Sequence, residues 1–170
     1  MNENFEAVCD FLEEHEIHFE RDEARGICHA WLTEEGILLR LLVITPPDEP
    51  SITLLLRLPI QAPAGRRAAV GELLQRLNWQ TKVGHFDFDH SDGEVRFKIA
   101  FWLHDSKLSP AMLHHCLGAS VLTVTTAFPA FTDVVFGDKS PDAALARLEK
   151  EDLDEDPADG ADRSPPAPLP

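Results

Sequence analysis

Apolar residues recur along this chain at helical spacing in some stretches and at alternate positions in others. The order of the two rhythms predicts the fold class. Phe5, Val8, Cys9 and Leu12 fall at i, i+3, i+4 and i+7, one stripe of a helix. Strand rhythm follows. Ile17 to Asp22 is a weak candidate; Gly26 to Thr33 is stronger, with Cys28, Ala30 and Leu32 alternating against Ile27, His29 and Trp31. Ile37 to Ile44 is apolar at seven of eight positions, so neither face of that strand suits water. Pro46-Pro47-Asp48-Glu49-Pro50 then interrupts the chain with residues that cannot donate to a ladder. Ile52 to Leu58 resumes, with Ile52, Leu54, Leu56 and Leu58 on one face and Thr53, Leu55 and Arg57 on the other.

Pro63 suits the first turn of a second helix, whose buried stripe is Val70, Leu73, Leu74 and Leu77, with Asn78 as an αL stop. A hairpin comes next. Phe86 and Phe88 alternate with His85, Asp87 and Asp89, and Val95, Phe97, Ile99, Phe101 and Leu103 share one face of the return strand. A two-residue Asp92-Gly93 turn places Asp89 beside Arg96 and Asp87 beside Lys98. A four-residue loop instead places Asp87 beside Arg96 and His85 beside Lys98. Ser109-Pro110 is an N-cap followed by an N1 proline. It opens a long helix on Leu113, Leu117, Val121, Val124 and Phe128. Pro129 is expected to kink that helix or begin a second segment, closed by Gly137. Ser140-Pro141 caps a short amphipathic helix over 141–151 using Leu145 and Leu148. From Asp152 onward Asp, Pro, Ala and Gly dominate, a composition that supports no structure. The pattern is an α+β fold, a mostly antiparallel sheet flanked by helices in the order α-β-β-β(-β)-α-β-β-α. Residues 1–137 form the domain, and 138–170 an acidic, Pro/Ala-rich tail.

Charge narrows the partners. Thirty acids against fifteen Lys and Arg make a net charge of −15. The segment 138–170 holds ten acids and four bases, so the excess is shared by the domain and the tail. Such a potential repels phosphate backbones and anionic membrane surfaces, and nucleic acid and membrane are not expected partners. No uninterrupted apolar run approaches the roughly 18 residues of a membrane span. The N-terminal residues lack the basic and apolar regions of a signal peptide. Cys9, Cys28 and Cys116 are odd in number and widely spaced, which favours a reducing compartment over a disulfide framework. The cytoplasm is the expected address.

Chemistry is sparse. Asp87, Asp89 and Asp92 precede Gly93, but an EF-hand register from Asp87 puts Ser91 at position 5, the glycine one residue late and Lys98 at position 12. His114, His115 and Cys116 are helix neighbours, about 100° apart, and cannot converge alone. Cys28 and His29, adjacent on a strand, point to opposite faces. No glycine spacing fits a nucleotide loop. Neither a cofactor nor a metal is expected.

Leu77-Asn78, Gly84-x-Phe-Asp-Phe-Asp, Asp92-Gly93-Glu-Val-x-Phe, Leu108-Ser109 and Phe128-Pro129-x-Phe131, in this order of elements, resemble the YbjN family of bacterial proteins. That family is described as sensory transduction regulators, and its domain is similar to the type III secretion chaperone fold. The resemblance covers roughly Phe5 to Gly137 and implies a helix-flanked sheet, often dimeric, whose work is binding protein segments. It departs from the simplest chaperone pattern in having four strand candidates before the second helix. Apolarity on both faces of Ile37 to Ile44 points the same way, since one layer of helices covers one sheet face only. We therefore expect a non-enzymatic protein-binding module, chaperone-like or regulatory and homodimeric. Its partner-binding candidates are Trp31, Leu39, Leu41, Leu54, Leu56 and Trp102. The competing expectation is a small ligand- or metal-binding sensor or enzyme using the His85/Asp87/Asp89 face with the nearby His104.

Overall fold

A computed structural model describes residues 3–104 and 106–155. Helix α1 (Glu3–Glu14) leads into strands β1 (Phe19–Asp22), β2 (Ile27–Glu34), β3 (Ile37–Ile44) and β4 (Ser51–Gln61). A 3-10 turn at Ala64–Arg66 opens α2 (Arg67–Gln80). The hairpin β5 (His85–Phe88) and β6 (Glu94–Trp102) follows, then α3 (Pro110–Val135) and α4 (Pro141–Glu155). The strands form one sheet in the order β1-β2-β3-β4-β6-β5, every neighbouring pair antiparallel. The expected α+β class and element order hold.

Alternation decides the core. Leu39, Leu41 and Val43 of β3, Ile52, Leu54, Leu56 and Leu58 of β4, and Phe97 and Ile99 of β6 are all buried. They share one face of the sheet because successive strand residues point to opposite sides. Helices roof that face. Phe5, Val8, Cys9, Phe11 and Leu12 come from α1, and Val124, Ala127, Phe131 and Val134 from α3. The Phe86 ring meets Phe97 and Phe131 edge-on, with centroids 5.0 and 5.4 Å away, tying the hairpin to α3.

Several details differ from the sequence expectation. Asn78 does not stop α2, which continues to Gln80. Its amide donates to the Phe86 carbonyl at 3.0 Å and accepts the Phe86 N–H at 2.7 Å, pairing with edge strand β5 as a neighbouring strand would. Of the two registers the sequence allows, the hairpin takes the four-residue loop, with Asp87 opposite Arg96 and His85 opposite Lys98. Arg67 holds that loop against the start of α2 by donating to the carbonyls of His90 and Ser91 at 2.8 and 3.0 Å. Ser109 caps α3, accepting from the Met112 N–H at 3.2 Å. The helix then runs through Pro129 as one element. Its β-branched and hydroxyl residues are accommodated by back-bonding: Ser120, Thr123 and Thr125 donate to the carbonyls of Cys116, Ala119 and Val121. By length and composition α3 could cross a membrane, although charged and polar side chains flank its apolar stretches; here it packs on β4 and β6.

Helix α4 is longer than the expected 141–151 and extends to Glu155, past Asp152, where composition argued against structure. It docks on the domain through buried Ala144 and Leu148. Asp133 of α3 binds Lys139 at 2.8 Å and Arg147 of α4 at 3.0 Å, and those hydrogen bonds, Lys139's first, hold its carboxyl below the usual range. Arg76 of α2 reaches Asp142 at 2.8 Å. The remaining tail expectation, for 156–170, lies outside the described residues.

Gly84 has φ +77°, and a Cβ there would meet the Phe97 ring at 2.6 Å and Ile99 at 2.8 Å. We expect Gly84→Ala to cost about 2 kcal/mol or more, and Asn78→Ala about 1–3 kcal/mol by leaving Phe86 backbone groups unpaired. Gly65→Ala is the control, with nothing within 4 Å of its new methyl. Urea unfolding midpoints measure all three.

Candidate functional site

Among the described residues the helices leave the second face of the sheet open. No open-face side chain of β3, β4 or β6 is fully buried. Register assigns its rows. Trp31, Arg40, Arg57, Arg96 and Asp87 lie opposite one another in turn, a row across five strands. His29, Leu42, Leu55, Lys98 and His85 form the next row, and Ile27, Ile44, Thr53 and Ala100 the one beyond. Trp102 stands at the end, beside Ser51. Trp31, Leu38 and Trp102 are 46, 55 and 58% exposed, while Leu42, Ile44 and Leu55 are half-buried between them.

Arginines on neighbouring strands at opposed positions repel one another. Arg57 is offset by Glu94 at 2.8 Å, and Arg96 by Asp87 at 3.3 Å. Arg40 has no carboxylate partner among the described residues. It lines a concavity of about 340 Å³ with Trp31, Leu38, Arg57 and Pro59.

Of the six expected partner-binding residues, the fold brings Trp31 and Trp102 to this open face. Leu39, Leu41, Leu54 and Leu56 are corrected: they are 0, 1, 2 and 1% exposed and belong to the core under the helices. The physical reason is parity. An apolar strand offers two leucine sets, and the helices cover one of them. Leu38, Leu42 and Leu55 are the open set, and with Arg40 they are what the sequence reading missed. A signal did exist. Glu35 and Gly36 both have positive φ (50° and 77°) and join β2 to β3 in a two-residue turn between the paired Glu34 and Ile37, the I′ geometry. That turn ties Trp31 to Arg40, and so to Leu38 and Leu42.

The His85, Asp87, Asp89 and His104 group does not converge. His85 Nε2 lies 3.1 Å from Asp87, whose carboxylate also faces Arg96. Asp89 turns into the hairpin loop and accepts from the Ser91 hydroxyl and N–H at 2.6 and 2.8 Å, bonds that lower its pKa. His104 stacks near Trp102, which lies four residues, roughly 13 Å, along β6 from the partner of His85. A polar concavity of about 370 Å³ collects Asp87, Asp89, Glu94 and Arg96, yet each carboxylate already has its partner. Among the described residues no group of His, Cys, Asp or Glu is placed to hold a metal ion. On the helix side, Leu77, Val83, Phe86, Leu122 and Leu148 line an apolar groove of about 440 Å³ whose one titratable group is Lys82.

The fold therefore defines an open-faced α+β protein with one roofed and one bare sheet surface. The profile of the YbjN family, described as "Putative bacterial sensory transduction regulator", matches residues 4–133, and the chain belongs to that family. Among solved structures, YbjN from E. coli is similar at 7% identity and TM-score 0.49, covering 71% of this chain and 84% of that one. An uncharacterized protein from Methanothermobacter thermautotrophicus is similar at 10% identity and TM-score 0.46, covering 87% and 98%. No curated protein matches.

Thiol chemistry has no support in the geometry. Cys9 and Cys28 are buried and their sulfurs lie 3.6 Å apart between α1 and β2. Burial, then the Cys9 contact, pushes the Cys28 thiol up to about 12, the opposite of an activated nucleophile. Unfolded, it ionises near 9. Between those values the unfolded chain has lost a proton that the native one keeps, so stability falls as pH rises. We expect the contribution to be whole below pH 9 and to be lost toward pH 12. Thermal unfolding across that range should show a shallower alkaline decline for Cys28→Ala than for the wild type.

Proposed function

We propose that this chain is a non-enzymatic protein-binding module, regulatory or chaperone-like, that holds a polypeptide partner on the open face of its sheet. One observation carries the reading. The large exposed side chains Trp31, Leu38 and Trp102 surround half-buried Leu42, Ile44 and Leu55 on the sheet face that the chain's helices do not cover. Large apolar side chains exposed together on one uncovered face mark interaction sites, and Trp and Arg dominate interface energetics. Among the described residues, the carboxylates of the polar concavity are each engaged by a neighbouring group, which favours binding over an enzymatic reading. The family description, a regulator, is consistent with binding. A second copy of the chain is the partner that the sequence led us to expect. The free, buried thiols suit a reducing compartment, the cytoplasm.

The test is Leu38→Glu with Trp102→Ala, both at exposed positions, so folding is preserved. Wild-type protein purified from its native host should carry a stoichiometric polypeptide, or run as a dimer by light scattering. The double variant should run alone as a monomer. Loss of Trp102 by itself should weaken partner affinity by roughly 2 kcal/mol, about thirtyfold. A wild type that is monomeric at all concentrations and retains nothing the variant does not would overturn the reading.

A further inference from the structure

Resting on that reading, we propose that the bare sheet face seats an acidic amphipathic helix of another protein, with Arg40 receiving one of its carboxylates. Sign is the first argument. Across β2, β3, β4, β6 and β5 the open face carries Arg40, Arg57, Arg96 and Lys98 against Asp87, Asp89 and Glu94, four cations to three carboxylates. The acids Glu20 and Asp22 lie outside this patch, on edge strand β1. In a chain of net charge −15, this stretch keeps one cation in excess, and Arg40 is the arginine of the row that no carboxylate offsets among the described residues.

Geometry is the second argument. Arg40 faces Arg57 directly, and Arg57 faces Arg96. The two that hold carboxylates leave Arg40 with its fork of donors turned to solvent, beside the Trp31 indole and the concavity of about 340 Å³. A carboxylate there gains bidentate hydrogen bonds and relieves the repulsion along the row. Leu38, Leu42, Leu55 and Trp102 supply apolar contact on both sides of the row. The occupant must therefore alternate acids with apolar residues.

Backbone satisfaction selects a helix. An extended segment laid over a sheet face leaves its own N–H and C=O groups without ladder partners. A helix satisfies them internally and presents an apolar stripe. Strand addition at the β5 edge meets Asn78, which already occupies the Phe86 backbone groups. A polynucleotide is disfavoured because the −15 charge repels its dense phosphates.

Fluorescence titration at low salt tests the assignment, in a Trp79→Phe background because Trp79 is 91% exposed on α2 and would report from elsewhere. The probes are a synthetic Leu/Glu amphipathic peptide of about 18 residues, long enough to form a helix, its Leu/Lys counterpart and a single-stranded oligonucleotide. We expect the Leu/Glu peptide to bind at least tenfold more tightly than either alternative, and Arg40→Gln to lose about tenfold for that peptide alone. No binding of the Leu/Glu peptide, equal or tighter binding of the Leu/Lys peptide or the oligonucleotide, or unchanged affinity in Arg40→Gln overturns the proposal. Any of these leaves the partner-binding reading intact while Leu38→Glu/Trp102→Ala still loses its partner; that reading fails separately if the double variant keeps it.

Discussion

A β-strand turns each successive side chain to the opposite face, and β3 is apolar on both. That constraint governs the rest of the molecule. With Ile37, Leu39, Leu41 and Val43 buried under helices, Leu38, Leu42 and Ile44 must stand on the other side. Among the described residues the helices stack on the first side, where α3 packs on β4 and β6, α1 on β2, and α4 on α2 and α3. The surplus apolar surface is thus a product of strand geometry and a single helix layer, and no local rearrangement of side chains removes it.

The bare face is organised by charge as well as by apolarity. Its three arginines occupy opposed positions on adjacent strands, an arrangement that costs stability unless carboxylates intervene. Glu94 and Asp87 intervene twice, with contacts of 2.8 and 3.3 Å. Arg40 and Trp31 are left at the end of the row, both accessible. Asp87 also lies 3.1 Å from His85 Nε2, so this carboxylate joins the arginine row to the hairpin edge.

Much of the fold was legible because its signals are local. Ser109-Pro110 caps α3 where N-cap chemistry says it should, and the strand windows match the observed strands closely. What was not legible depends on distance in sequence. Asn78 reads as a helix stop; only the approach of β5 makes it a clamp on Phe86. The Asp92-Gly93 pair allows a two- or a four-residue loop; Arg67, far upstream, holds the longer one. Helix α4 reads as an appendage; Asp133 and Arg76 hold it to the helix layer.

Period-two and period-3.6 patterning, capping residues and turn chemistry determined which elements this chain makes and in what order. They also determined that β3 is apolar on both sides. Which side the helices would take was decided by packing, because it depends on contacts between residues far apart in the chain. That choice buried Leu39, Leu41, Leu54 and Leu56 and left Leu38, Leu42, Leu55 and Arg40 in the open. Within β3 the two alternating sets differ only by Arg40, whereas β4, with Ile52, Leu54, Leu56 and Leu58 against Thr53, Leu55 and Arg57, marks its buried side, and the β3–β4 register carries that choice to β3.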